Sequence, residues 1–302
     1  MHSFSVGILL GLLTSSALAS PAATKVLTLG GYRLSTDVHE VPAGGRVSHV
    51  GNDVHLVGAD GTVLHVVPNV MKAMKPAAEP VPPQQSGWIT YTSWLNTSPS
   101  PISNFSTTYT VPAPPNTYHG QTVFLFNSIE PSSFDVILQP VLQYGPSTAG
   151  GGQYWSAATW YLYGPLVFYP PLVQVEGVLG GLGLCGLHKL SNIGQLLNGL
   201  ISLVVKTGST YSYTVQYSNI PGTLMRMDNV EELTWATETL EAYNIAAAIN
   251  YPPSLSTFYE INLDFTSPAP TVSWGVTNDE ADRLFTTINR DGAFQGVLTI
   301  TY

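Results

Sequence analysis

The stretch that decides the fold is "FNSIEPSSFDVILQPVLQYG", residues 126–145. Two runs rich in Ile, Val, Leu and aromatic residues lie on either side of Pro131-Ser132-Ser133. Runs of this length and composition, bounded by turn-forming residues, are typical of β-strands. The stretch therefore predicts two strands and a turn. Pro140, which cannot donate to a central ladder, indicates that the second strand ends or lies at a sheet edge there.

The same pattern continues on both sides, from Ser86 to the C-terminus. Spaced short strands with few helical periods indicate an antiparallel β-sandwich and not βαβ units. One short helix is expected near 278–289, because Ala281, Leu284 and Phe285 recur at helical spacing. The other predicted strands are "GWITYTSW", "NFSTTYTVPAPP", "QYWSAATWYLYG", "TYSYTVQYSN", "STFYEINLDF", "PTVSWGV" and "GVLTITY".

The N-terminal part of the chain differs from this β-rich domain at 86–302. The apolar run "VGILLGLL" and the small residues "ALA" at 17–19 predict a signal peptide over 1–19, and hence a secreted, extracellular protein. Residues 20–85 hold five of the ten Lys and Arg and four of the seven histidines, and they end in a Pro-rich linker. We interpret 20–85 as a propeptide-like segment; a permanent accessory lobe is the alternative.

Residues 178–195, "VLGGLGLCGLHKLSNIGQ", interrupt the strand pattern. Two interpretations remain open, a translated, unspliced intron and a genuine apolar loop. If the flanks "PLVQVEG" and "LLNGLISLVV" were joined directly, they would form a hairpin of two strands. We assign no function to Cys185 or His188 within this insertion.

The overall charge restricts the partners. A formal net charge of −9 argues against nucleic acid and against an anionic membrane, and low charge with many carboxylates suits an acidic exterior. The single cysteine excludes an intramolecular disulfide framework, and about 280 residues are enough for one core without it. Asn96 and Asn104 begin N-glycosylation sequons, as in a secreted glycoprotein. We expect a monomer.

The available side chains restrict the chemistry further. After residue 85 the only histidines are His119 and His188, which makes a Ser-His-Asp triad, a Cys-His pair or a multi-histidine zinc site difficult to assemble. No P-loop, HExxH or dinucleotide-binding motif is present, so we expect no metal and no cofactor. Any catalysis is left to carboxylates and amides. A glutamate base with an amide donor for a developing oxyanion is a sufficient pair.

The order of motifs resembles the fungal glutamic peptidases, the eqolisins. The motifs are "SGWITYTSW", "STTYTVPAPP", "FNSIEPSSFDVILQPVLQYG", "YWSAATWYLYG" and the Glu-rich "VEELTWATETLEAY". The resemblance runs from Ser86 to the C-terminus. It implies a ConA-like β-sandwich, a removed propeptide and secreted acid endopeptidase activity on polypeptides. Two departures are Thr159, where the family has a glutamate, and the Glu238–Glu241 spacing of three residues instead of four.

The resemblance also implies the site. It makes Gln139 the oxyanion stabiliser and a later glutamate the base that activates water, with Glu238 as first choice and Glu232 as second. Glu130 is a candidate for orienting Gln139 or the water. Burial on a concave face is expected to raise the pKa of Glu238 toward useful acid or base strength. The aromatic residues Trp88, Trp160 and Tyr161 are candidates for binding substrate.

Two other functions stay open. The tryptophans and tyrosines also suit a non-catalytic, lectin-like sandwich that binds glycans. A β-sandwich glycosidase is the third possibility, and it ranks lowest because the compact acidic cluster of ConA-like glucanases is absent from the sequence.

Overall fold

The computed structural model describes residues 23–70, 87–176 and 194–302, which form an almost purely β structure of two large sheets and one hairpin. This confirms the predicted β-sandwich. The predicted signal peptide, the Pro-rich linker and most of the insertion, with Cys185 and His188, lie outside the described residues. Two short 3-10 helices cover Ser35–Asp37 and Ala248–Asn250.

The first large sheet has nine described strands, and we number all strands in chain order. Its main path runs β19-β7-β17-β9-β10-β11-β12-β3, and β13 also pairs with β11. The strands are β3 (Val38–Glu40), β7 (Trp88–Leu95), β9 (Thr122–Glu130), β10 (Val136–Ser147), β11 (Gly150–Tyr163), β12 (Leu166–Tyr169), β13 (Val173–Gln174), β17 (Trp235–Tyr243) and β19 (Gly275–Thr277).

The second large sheet has ten described strands in the order β20-β21-β18-β8-β14-β15-β16-β4-β5-β6. These are β4 (Arg46–Val50), β5 (Asp53–Val57), β6 (Val63–Val67), β8 (Ile102–Thr110), β14 (Leu196–Thr207), β15 (Thr210–Tyr217), β16 (Met225–Val230), β18 (Ser256–Phe265), β20 (Phe285–Arg290) and β21 (Gly296–Thr301). The separate hairpin consists of β1 (Lys25–Thr28) and β2 (Gly31–Leu34).

Alternation along β10 creates two cores. Leu138 and Leu142 belong to the large core between the sheets, whereas Ile137 and Val141 belong to a second core on the other side of the nine-stranded sheet. Successive side chains of a strand point to opposite faces, which explains the division. We call the side of the nine-stranded sheet that faces the ten-stranded sheet its inner face, and the opposite side its outer face.

The N-terminal segment is built into both sheets. Strand β3 pairs in parallel with β12, and β4 pairs in parallel with β16. The β1–β2 hairpin contributes Leu29 to the core on the outer face. Within this segment, β5 and β6 pair as an antiparallel hairpin on either side of Asp60-Gly61.

Three local predictions are wrong. The expected helix is absent, because residues 279–284 form turns closed by an Asp279–Leu284 bridge. Phe285 then begins β20, which pairs with β21.

Pro140 does not mark a strand end or a sheet edge, because it lies in the middle of the central strand β10. Its missing N–H is accommodated where the β9–β10 ladder has no paired residues between Leu138 and Val141.

The third concerns the flanks of the insertion, which do not form a hairpin. Strand β13 pairs with β11 in one sheet, and β14 pairs with β8 and β15 in the other. The ends of the insertion still lie together, since the Gln195 N–H donates to the Glu176 carbonyl at 3.1 Å. Within the described residues, no helix has the length and apolar character needed to cross a membrane.

Candidate functional site

Gln139 lies on the outer face, at the centre of the nine-stranded sheet. Its neighbours along β10 on that face are Ile137 and Val141, and Trp160 of β11 lies directly across from it. Between the paired residues on either side, the register places Ser128 of β9 opposite Gln139. The side chain is 1% exposed, and among the described residues its Oε1 has no hydrogen-bond partner. A buried amide oxygen of this kind needs a donor.

Glu238, the first choice for the base, lies on the inner face. Strand β17 turns it into the large core, where the Thr107 hydroxyl of the opposite sheet donates to Oε1. Asn127 is its cross-strand neighbour on β9. Complete burial raises the pKa of Glu238 well above its ordinary value, and the Thr107 hydrogen bond offsets part of that rise. Glu238 and Gln139 therefore occupy opposite faces of one sheet, and the structure does not bring this pair together.

Glu232, the second choice, does not share a strand with Glu238, because β17 begins only at Trp235. Its Oε2 accepts a 2.5 Å hydrogen bond from the Tyr211 hydroxyl of the ten-stranded sheet. It therefore lies away from the outer face that holds Gln139.

Glu130, in contrast, is on the outer face with Gln139. It ends β9, two residues beyond Ser128 on the same face, which makes it the diagonal cross-strand neighbour of Gln139. Diagonal neighbours lie roughly 7–8 Å apart, within reach of two long side chains. Glu130 is completely buried. Of the predicted glutamates, it is the one that the strand register places beside the amide.

A line of hydroxyl groups runs across the outer face beside Gln139. Ser128 Oγ lies 2.6 Å from Thr237 Oγ1, and Thr237 Oγ1 lies 3.0 Å from Thr239 Oγ1. All three residues are buried. Thr237 is opposite Ser128 in the β17–β9 register, so the position on β17 in the same row as Gln139 carries a hydroxyl and not a carboxyl.

Glu241 is a second buried carboxyl on the outer face, and sequence analysis did not select it as a catalytic candidate. Its Oε1 accepts a 2.8 Å hydrogen bond from the N–H of Gly30, at the tip of the β1–β2 hairpin. Burial raises the pKa of Glu241 to about 8, although hydrogen bonds from Tyr243 and Gly30 and the charge of Arg33 act in the opposite direction. Strand alternation puts Glu241 and Glu238 on different faces, and the sequence does not indicate which face the N-terminal segment covers.

A third group of carboxyls lies in the loops. Ser133 Oγ donates to Asp135 Oδ1 at 2.5 Å and lies 3.2 Å from Glu231 Oε1. Partial burial and the neighbouring Asp135 carboxyl raise the pKa of Glu231 to about 7. The two residues are separated by 96 positions, so no local pattern in the sequence indicates that they meet.

Four half-buried aromatic side chains pack over the outer face, and we call them the aromatic quartet: Trp88, Tyr91, Phe134 and Trp235. The Trp88 and Trp235 rings stack with centroids 6.0 Å apart, and Phe134 meets Trp235 edge-on at 4.9 Å. Phe134 has a φ of 57°, an unusual value for a bulky residue in a loop. Phe134 lies in the β9–β10 loop, outside the strand pattern, and its contact with Trp235 has no local signal in the sequence.

The aromatic residues predicted to bind substrate divide between the faces. Trp88 belongs to the quartet, and Trp160 is completely buried on the outer face beside Gln139. Tyr161 lies on the inner face, where its hydroxyl is 2.7 Å from Nε2 of His49. Thr159 also points inward and donates to the Thr223 carbonyl at 2.8 Å.

The two sequons differ in their surroundings. Asn96 is 5% exposed and its Nδ2 donates to the Ser100 carbonyl at 2.8 Å, a contact that a glycan on Nδ2 would disrupt. Asn104, on β8, is half-buried. Over the described ranges, no group of three or more His, Cys, Asp or Glu side chains is arranged to hold a metal ion.

Comparison with known proteins gives a distant structural relationship. No family model and no curated protein matches the chain. Among solved structures, scytalido-glutamic peptidase with a peptide-based transition-state analog has a TM-score of 0.42 and 11% identity, covering 72% of this chain and 98% of that one. SCP-B, an eqolisin-family peptidase in complex with the tripeptide Ala-Ile-His, gives the same four values.

Proposed function

We propose that this chain binds polypeptide on the outer face of the nine-stranded sheet and hydrolyses it at acid pH, with Gln139 and Glu130 as the reacting amide and carboxyl. The observation that carries the proposal is their placement. Both are buried side chains on one face, diagonal to each other across adjacent strands. The same face already accommodates a polypeptide turn, because the Gly30 N–H donates to Glu241 there.

The chemistry needs only these two groups and one water molecule. The Glu130 carboxylate takes a proton from water as the oxygen attacks the carbonyl carbon of the peptide. The Gln139 amide N–H donates to the oxyanion that forms. Glu130 then returns the proton to the leaving nitrogen, and the C–N bond breaks. The mechanism requires Glu130 to be a carboxylate when it takes the proton from water.

Substrate access involves the aromatic quartet. Gln139 and Glu130 are buried, and the half-buried quartet rings are positioned to contact a chain that enters the outer face. Phe134, on the β9–β10 loop, is held in a conformation that bulky residues adopt at a cost of about 1–3 kcal/mol, and its movement would relieve this strain.

The test is cleavage of denatured casein by the full-length secreted chain between pH 2 and 6, with pepstatin present to exclude contaminating aspartic peptidases. We expect the initial rate to fall by about 100-fold or more in Glu130→Gln and in Gln139→Ala. Glu238→Gln is the matched control, since it makes the same chemical change on the inner face of the same sheet. Loss of cleavage in Glu238→Gln with retention in Glu130→Gln would assign the base to Glu238 and refute our choice.

A second candidate is polypeptide binding without hydrolysis. The deep burial of Gln139 and the inward position of Glu238 favour it. Intact casein with retained peptide binding would support it over the peptidase. Glycan binding has less support, because none of the six tryptophans, all of which lie in the described residues, is exposed to stack on a sugar ring.

A further inference from the structure

We propose that the outer face contains a leucine-selective pocket beside Glu241, and that the chain's own Leu29 occupies it. This inference rests on the proposed polypeptide-binding function and specifies its ligand. The external ligand is a polypeptide in which a leucine-type side chain is followed by a residue whose backbone N–H donates to Glu241. Leu29 and Gly30 occupy these two positions in the chain itself.

The burial of Leu29 is the first observation. It lies at the tip of a two-stranded hairpin, a position where side chains are normally exposed, yet it is 0% exposed. It belongs to the outer-face core formed with Phe124, Phe126, Ile137, Val141, Ala158 and Trp160. These residues come from three adjacent strands of a different sheet, so the hairpin inserts Leu29 into a pocket that it does not itself build.

The pocket favours a medium-sized aliphatic side chain. Its walls are aromatic and branched aliphatic groups. Burying a leucine there is favourable relative to leaving it exposed, because apolar surface is removed from water. An alanine would lose most of that contribution and leave a cavity, and a larger ring would overpack a close-packed site.

The backbone supplies the second point of attachment. The Gly30 N–H donates to Glu241 Oε1 at 2.8 Å, and the Thr148 N–H donates to the Leu27 carbonyl at 2.8 Å. Gly30 and Gly31 have φ values of 66° and 99°, conformations that glycine adopts without strain. Because both bonds use main-chain atoms of the hairpin, any polypeptide of similar shape can form them. Selectivity is left to the pocket.

The third observation concerns charge. Glu241 is completely buried. A buried carboxyl is less costly when it is protonated and neutral, and its carbonyl oxygen can still accept a hydrogen bond. Its Oε2 has no hydrogen-bond partner among the described residues. Arg33 and Tyr243, which act on Glu241, come from the hairpin and from β17 respectively. An incoming peptide that displaces the hairpin would therefore meet a carboxyl with spare acceptor capacity.

The experiment uses the full-length chain with Glu130→Gln throughout, so that no peptide is consumed. Leu29→Asp places a charge in the apolar pocket and is expected to expel the hairpin tip. Leu34→Asp is the matched control, because Leu34 lies on the same hairpin but is 43% exposed. The probe is a fluorescein-labelled synthetic peptide with the sequence of residues 24–35, "TKVLTLGGYRLS", followed by fluorescence anisotropy at pH 5.

We expect the Leu29→Asp chain to bind this peptide at least about 10-fold more tightly than the Leu34→Asp chain does, since only the former has an open pocket. A peptide with alanine in place of the residue-29 leucine should bind about 10-fold or more weakly. Equal affinity for the two peptides, or equal binding by the two chains, would overturn the inference. If Leu29→Asp does not fold, Leu29→Ala and Leu34→Ala replace the pair, with the same order of affinities expected.

Failure of this inference is distinguishable from failure of the proposed function. If the chain binds the leucine peptide selectively but does not cleave casein, the pocket is supported and the peptidase function is refuted. If the chain cleaves casein but binds both peptides with equal affinity, the peptidase function is supported and the pocket is refuted.

Discussion

Replacement of Glu241 by glutamine should change how the stability of the protein depends on pH. Glu241 is completely buried, and burial raises its pKa from the ordinary 4.5 to about 8. A carboxyl whose folded-state pKa is raised contributes stability that is fully present below pH 4.5 and is lost as the pH rises toward 8. Glutamine is neutral at every pH and can still accept the hydrogen bond from Gly30.

The size of the effect follows from the two pKa values. The difference between 4.5 and about 8 corresponds to roughly 5 kcal/mol of unfolding free energy. Between pH 4 and 8 the wild-type chain should lose several kcal/mol more stability than Glu241→Gln does. At pH 4 the two chains should differ little, because both carry a neutral group at this position.

The assay is urea unfolding at 25 °C, followed by tryptophan fluorescence, at unit steps from pH 4 to 8. Glu280→Gln serves as the control, since it removes an exposed carboxyl from the same chain. Parallel stability profiles for wild type and Glu241→Gln over this range would show that Glu241 is not buried in the folded protein as described, and the reasoning would fail.

Two further predictions concern the N-terminal segment and the insertion. Burial lowers the pKa of His49 to about 4, so its stabilising contribution is present above pH 6.5 and is lost as the pH falls toward 4. The wild-type chain should therefore lose roughly 3 kcal/mol more unfolding free energy between pH 6.5 and 4 than His49→Gln does. The same urea unfolding assay measures this difference. Replacing residues 177–194 by two glycines should leave the protein folded, because Glu176 and Gln195 already lie within hydrogen-bonding distance. The shorter loop should raise the unfolding free energy by roughly 2 kcal/mol. Loss of cooperative unfolding in that variant would show that the insertion is part of the core.

Much of the fold could be predicted because strand formation here depends on local composition. The predicted run at 87–94 overlaps β7, and the predicted run at 153–164 overlaps β11 in all but its last residue. The helix expected near 278–289 is absent. Three apolar residues at helical spacing favour a helix less strongly than pairing with β21 favours a strand that begins at Phe285. The pairing of β3 and β4 with distant strands has no local signal, since parallel partners are chosen by the tertiary fold.

The candidate site could be predicted only in part. The resemblance selected Gln139, and its outer-face position follows from alternation along β10. The choice among the glutamates depended on where β17 begins and on which face is covered. Glu238 and Glu241 are three residues apart and therefore point in opposite directions. Glu130 gains its importance from a cross-strand register that the sequence does not specify.

The parallel pairing of β3 with β12 and of β4 with β16 determines what a single proteolytic cut in the linker would produce. A cut within residues 71–86 would sever the covalent connection between the N-terminal segment and the rest of the chain, but it would break none of the hydrogen bonds that hold this segment in two separate sheets. The product would be a nicked, two-chain particle. It would elute as one species from a native sizing column and separate into two fragments only in denaturant.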